Sequence, residues 1–136
     1  MLVKKKKVLI VDDSKYIRYA LETALQKKGF ETHTCINGAE ALEAIKVQKY
    51  DLIVSDVIMP KCDGFEFWEE MRNIITPNSA TPVLFISGGS RTVCRTTALE
   101  ILRTQAHVMA KPLNQKQFFN QVNSLVGKAK EYEQLT

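Results

Sequence analysis

The sequence predicts an α/β fold: a doubly wound, five-stranded parallel sheet with helices on both faces. Three observations carry that expectation. Short, continuous apolar runs recur along the 136 residues, with the length and composition of strands buried on both faces. Between these runs the apolar residues return at helical spacing. Glycines, prolines and capping residues mark the changes from one period to the other.

The elements follow in order. VLIV (8–11) is the first strand, and Ile17, Ala20, Leu21, Ala24 and Leu25 then repeat as one face of a helix that closes at Gly29. FETHTC (30–35) is the second strand, polar enough for a sheet edge. Asn37, with Glu40 three residues later, forms a capping box for a helix carrying Ala41, Leu42 and Ile45. LIVS (52–55) is the third strand, and the helix after Gly64 puts Trp68, Met71 and Ile75 on one face. TPNSATP (76–82) is a turn-rich loop before the fourth strand, VLFIS (83–87). Ser90 can cap a helix through Val93, Ala98, Ile101 and Leu102, and AHVMA (106–110) is the fifth strand. Asn114 and Gln117 cap the last helix, which carries Phe118, Val122 and Leu125. Residues 1–127 make one domain; the charged stretch 128–136 extends the last helix, frays, or begins a linker.

Composition narrows the class. With 45% hydrophobic and 25% charged residues, the chain can bury a core and is not of the disordered type. No apolar stretch reaches the length of a membrane span. The opening MLVKKKKVLIVDD fails as a signal peptide, because the apolar run stops at Asp12 and no small-residue cleavage site follows. The expected location is cytoplasmic. Cys35, Cys62 and Cys94 are widely spaced and form no CxxC pair, so reduced thiols are expected. The formal net charge of +4 owes much to the lysine run 4–7, which reads as a solvated strand end; direct nucleic-acid binding is not expected.

In a doubly wound sheet, ligands bind at the carboxyl ends of the strands. Asp12 and Asp13 follow the first strand, Asp56 the third; Ser87, Gly88 and Gly89 close the fourth; Lys111 and Pro112 follow the fifth. Three neighbouring carboxylates repel unless a cation joins them, and hard oxygen ligands that retain waters suit Mg²⁺. One ammonium cannot neutralise three carboxylates, but a metal plus a lysine fits an arriving dianion. Phosphoryl transfer needs such parts, and a carboxylate can be its nucleophile.

VLIVDDS (8–14), DLIVSDVIMPKCDG (51–64), LFISGG (84–89) and AKP (110–112), in this order, resemble the receiver domain of two-component response regulators, over about residues 7–126. The resemblance implies a flavodoxin-like sheet of order 2-1-3-4-5. It makes Asp56 the phosphoacceptor. Asp13 ligates Mg²⁺ directly, Asp12 helps to hold it, and Asp56 and the backbone carbonyl of Ile58 supply further oxygens. Lys111 pairs with the phosphoryl group and Ser87 gives it a hydroxyl. Lys111–Pro112 is a cis peptide in the family, and Met59–Pro60 and Asp63–Gly64 shape the loop beyond the acceptor. The donor is a sensor histidine kinase or a histidine phosphotransfer protein. The chain then catalyses only its own phosphorylation and dephosphorylation and is not an enzyme acting on others. The face of the fourth helix, fifth strand and last helix changes its preference for a downstream protein target, and a homodimer can form on activation.

Plainer roles suit other residues: Asp63 a turn residue, His107 a sheet-surface histidine, Cys62 an inert loop thiol, Phe67 and Trp68 packing residues. One position departs from the family pattern: Val108 stands three residues before the lysine, where receivers carry Tyr or Phe. Valine is stiff at χ1 and has no ring to swing, so the aromatic half of the usual switch is absent or altered. Two alternatives compete with this reading. A degenerate receiver would act as an interaction module without phosphorylation. A phosphatase of the haloacid-dehalogenase type usually has a second acid two residues after its nucleophile, where this chain has Ile58, and a cap domain for which there is no room.

Overall fold

Period two sorts the central strands between two cores. In the computed structural model, which describes residues 4–57, 64–87, 107–110 and 113–135, the elements are β1 (Lys7–Val11), α1 (Lys15–Lys27), β2 (Glu31–Cys35), α2 (Gly38–Val47), β3 (Leu52–Asp56), α3 (Gly64–Asn73), β4 (Val83–Ser87), β5 (His107–Ala110) and α4 (Gln115–Leu135). The strands form one parallel sheet in the order β2-β1-β3-β4-β5, as expected. Leu9, Val11 and Ile53 point to the face covered by α2 and α3, where they meet Ile45, Phe67, Trp68 and Met71. Val8, Ile10, Leu52 and Val54 point to the other face and meet Leu21 and Leu25 of α1 and Phe118, Val122 and Leu125 of α4. Burial on both faces is why β1 and β3 read as unbroken apolar runs.

Local signals set the helix ends. Ser14 caps α1, its Oγ accepting from the Ile17 N–H, and Gly29 leaves the helix at φ 91°, a left-handed conformation that glycine adopts without strain. Asn37 Oδ1 accepts from the Glu40 N–H at 2.8 Å, while the Glu40 carboxylate turns back to the N–H of Ile36 at 2.9 Å, one residue before the cap. Asn114 Oδ1 accepts from the Gln117 N–H at 3.1 Å, and α4 continues unbroken to Leu135.

Two expected core positions are corrected. Ala20 is exposed, because Leu21 and Leu25 already fill the face of α1 that meets the sheet. Ile75 is fully exposed, and Phe67 takes the expected place beside Trp68 and Met71. The helix stops at Asn73 because the following turn captures the backbone: Thr76 N–H donates to Ser79 Oγ at 3.0 Å, and Ser79 N–H to the Thr76 carbonyl at 3.2 Å. The expected helix after Ser90, the Lys111–Pro112 peptide, Met59–Pro60, Asp63, Cys62 and Cys94 lie outside the described residues. Among the described residues, no helix is long and apolar enough to cross a membrane.

The loop after α3 holds a residue that the pattern did not single out. Asn78 is fully buried. Its Oδ1 accepts from the Tyr50 N–H at 2.7 Å and the Thr81 hydroxyl at 3.0 Å; its Nδ2 donates to the carbonyls of Ile45 at 2.7 Å and Gln48 at 2.6 Å. One side chain thus ties the carboxyl end of α2, the start of β3 and the approach to β4.

Cys35 is buried at the end of β2, and burial first, then the nearby Glu40 carboxylate, push its thiol up from 9.0 to about 11. The folded state holds this proton where the unfolded chain gives it up. The resulting stabilisation is complete below about pH 9 and is lost as pH rises through about 11, a change of about 3 kcal/mol. Urea unfolding of wild type and Cys35→Ala across that range should show the extra loss only in the wild type. Parallel curves would disprove it.

Candidate functional site

β1 and β3 are adjacent and parallel, with Val11 level with Ser55. The residues that follow, Asp12 and Asp56, therefore leave the sheet side by side at its carboxyl edge. Asp12, Asp13 and Asp56 each offer a carboxylate oxygen, and these oxygens all lie within 4.8 Å of one another. Asp12 is 2% and Asp56 8% exposed, whereas Asp13 is open to solvent.

The backbone around these acids is held from several sides. The Asp12 N–H donates to the Cys35 carbonyl at 3.1 Å, carrying the β1–β2 ladder one step beyond the strand. Asp12 Oδ1 accepts from the Ser14 N–H at 2.8 Å, and its carbonyl accepts from Arg18 Nη1 at 2.8 Å. The first bond is an Asx turn that leads the chain into the cap of α1. On β3, Ser55 Oγ donates to the Asp56 carbonyl at 2.9 Å, and the Val57 N–H donates to the Ile86 carbonyl at 3.2 Å. Asp56 thus stands on a backbone held by hydrogen bonds on both sides.

Two largely buried carboxylates and a third beside them repel strongly at this separation. A divalent cation held by oxygen ligands relieves that repulsion, and this donor set fits Mg²⁺ or a similar hard ion. Asp12, Asp13 and Asp56 are therefore brought together as the sequence predicts. Ser87 ends β4 and is level with Ala110 of β5, while Asp56 is level with Ile86, which puts the Ser87 backbone at the same edge. Lys111 and Ile58 lie outside the described residues. Val108 is level with Phe85 and 45% exposed; His107 is half-buried on the same strand. The Arg18 contact and the Ser14 cap went unread in the sequence. A serine directly before the helical period was the available signal for the cap; nothing local marked Arg18 as a partner of the Asp12 backbone.

Comparison with known proteins gives a consistent result. The profile of the response regulator receiver domain matches residues 8–123. The chain is 36% identical over 126 residues to a probable transcriptional regulator, ycf27, of Cyanophora paradoxa, covering 93% of this chain and 50% of that protein. It is 30% identical over 120 residues to the transcriptional regulatory protein CpxR homolog of Haemophilus influenzae, covering 88% of this chain and 50% of that one. The chain spans about half the length of the curated relatives it matches. Among solved structures, chemotaxis protein CheY4 of Vibrio cholerae superposes with a TM-score of 0.78 at 31% identity, over 90% of this chain and 99% of that one. A CheY-like receiver domain protein from Methanospirillum hungatei superposes with a TM-score of 0.84 at 19% identity, over 95% and 99% of the two chains, a likeness of fold alone.

Proposed function

This chain belongs to the family of response regulator receiver domains of two-component systems, and from that premise we propose that Asp56 accepts a phosphoryl group from a histidine kinase or a histidine phosphotransfer protein. The observation that carries the reading is the convergence of the Asp12, Asp13 and Asp56 carboxylate oxygens within 4.8 Å at the carboxyl edge of the sheet. An Asp56 oxygen attacks phosphorus in line. The new O–P bond forms as the donor's N–P bond breaks, and the electron pair stays on the imidazole nitrogen. The product is an acyl phosphate on β3.

Asp12, Asp13 and Asp56, with the Ile58 carbonyl, would hold Mg²⁺, which when bound supplies positive charge to the phosphoryl oxygens. The Ser14 and Arg18 contacts keep Asp12 in place while the phosphoryl arrives. Lys111 gives an ammonium and Ser87 a hydroxyl to the same oxygens, roles that rest on the family motif. Catalysis is confined to the chain's own phosphorylation and dephosphorylation. A histidine kinase partner puts this chemistry in the cytoplasm. Residues 1–127 act as the receiver, and residues 128–135 extend its last helix. The output face on β5 works without the aromatic ring, because Val108 stands there.

Incubation with acetyl phosphate and Mg²⁺, followed by intact mass, tests the reading. A single phosphoryl adduct, labile to base and absent with EDTA, is expected. No adduct from a folded protein, with either acetyl phosphate or a phosphorylated histidine phosphotransfer protein as donor, would leave an interaction module without phosphorylation.

A further inference from the structure

The amino-terminal ends of the strands, opposite the acid cluster, carry charge of the other sign. Lys7 opens β1 and Asp51 directly precedes β3. Lys4, Lys5, Lys6 and Lys7, together with Gln48, Lys49 and Asp51, line a cavity of about 230 Å³. The whole chain has 19 Lys and Arg against 15 Asp and Glu, a formal net charge of +4. The cavity wall holds five of those cations and one of those acids, which leaves fourteen of each elsewhere. The residues lining this one small space thus carry a net charge equal to that of the whole chain.

The acid in the wall is already engaged. Asp51 Oδ2 accepts from the Lys7 N–H at 2.8 Å, and Oδ1 lies 4.0 Å from Lys6 Nζ. Lys49 Nζ donates to Thr81 Oγ1 at 3.1 Å, a neutral partner. One carboxylate cannot neutralise five ammonium groups, each with three N–H donors. The negative end of α2 would oppose an anion here, but the Asn78 amide already binds the carbonyls of Ile45 and Gln48.

We propose that this cavity binds a compact polyanion of the oligophosphate class. Its concave wall and small volume suit a short chain of phosphates and not the extended row on a duplex or a membrane. Lysines meet phosphate oxygens as point charges with rotatable donors, so several can converge on one group. The five-residue β1 separates the cavity from Asp12 by about 16 Å. The site is thus distinct from the acid cluster and independent of the phosphoryl transfer proposed above.

Isothermal titration of the metal-free protein with inorganic tripolyphosphate tests the proposal. One saturable site is expected, weakened by added salt. Lys5→Gln with Lys49→Gln should weaken binding about tenfold. A control with the same net charge, Lys27→Gln with Lys116→Gln on exposed helix positions, should stay within about twofold. Thermal unfolding of both double variants verifies that they fold. Absent or unsaturable binding overturns the proposal, as does equal weakening in the two variants, which would mean a diffuse charge effect. Tighter binding of duplex DNA or anionic vesicles than of tripolyphosphate, lost in the cavity variant, would overturn it in favour of an extended docking face.

Discussion

Asp56→Asn is expected to give no phosphoryl adduct with acetyl phosphate and Mg²⁺, and to be more stable than the wild type when both are metal-free. The first effect follows from the loss of the nucleophilic oxygen: an amide does not form the acyl phosphate. The second follows from the geometry. Three carboxylate oxygens within 4.8 Å, two of them on largely buried residues, repel by about 3 kcal/mol per pair at an effective dielectric constant near 20. Solvent at the exposed Asp13 and the remaining polar contacts reduce the net gain on removing one charge to about 1–2 kcal/mol. Mg²⁺ should reverse the order. It stabilises the wild type by binding the folded state, and stabilises the variant less because one anionic ligand is gone. Urea unfolding with and without Mg²⁺, beside intact mass, measures both. A persistent adduct would move the acceptor to another residue; a metal-free variant less stable than the wild type would mean that the favourable contacts of Asp56 outweigh the repulsion.

Asn78→Ala is expected to cost about 3–4 kcal/mol, the largest stability effect of a single side chain outside the apolar core. Its amide makes four hydrogen bonds in a fully buried place. Truncation leaves the Tyr50 N–H and the carbonyls of Ile45 and Gln48 without this partner. Each buried group left unsatisfied costs about 1–3 kcal/mol, reduced where water can enter the gap. Asn78→Asp separates the two halves of the role, since it keeps the acceptor toward Tyr50 and Thr81 but loses the donors to α2. It places a carboxylate oxygen against two carbonyls, and should cost as much as alanine near neutral pH and less in acid. Chemical denaturation reads both variants. A loss under about 1 kcal/mol for Asn78→Ala would show that the loop rearranges and that the tie is dispensable.

Much of this architecture was legible in one dimension. The runs at 8–11 and 52–55 announced strands covered on both faces, and they occupy the middle of the sheet. The polar FETHTC announced an edge, and β2 lies there. Asp12, Asp13 and Asp56 stood out because an acid directly after a buried run is costly unless something uses it. Parallel strands then bring the ends of such runs to one edge. Those inferences worked because their causes are local: burial on two faces sets composition, and the strand end sets where polarity resumes.

Other features had no local cause. Ile75 stands four residues after Met71 and fits the helical period, yet the turn at Thr76 and Ser79 ends the helix before reaching it. Asn78 looked like one more turn residue in TPNSATP; its burial depends on Tyr50, 28 residues away, and on the end of α2. The lysine run looked like a solvated strand end until the sheet set it beside Lys49 and Asp51, with Lys7 and Asp51 44 positions apart in sequence. The described elements, their order and the acids that end two strands could be read from residues close together along the chain, because burial and backbone hydrogen bonding act on neighbours. The tertiary structure alone decided how closely the carboxylates approach, which loop amide is buried and where the positive charge collects. Those depend on which strands lie side by side and in what register, and on groups that meet only across the folded sheet.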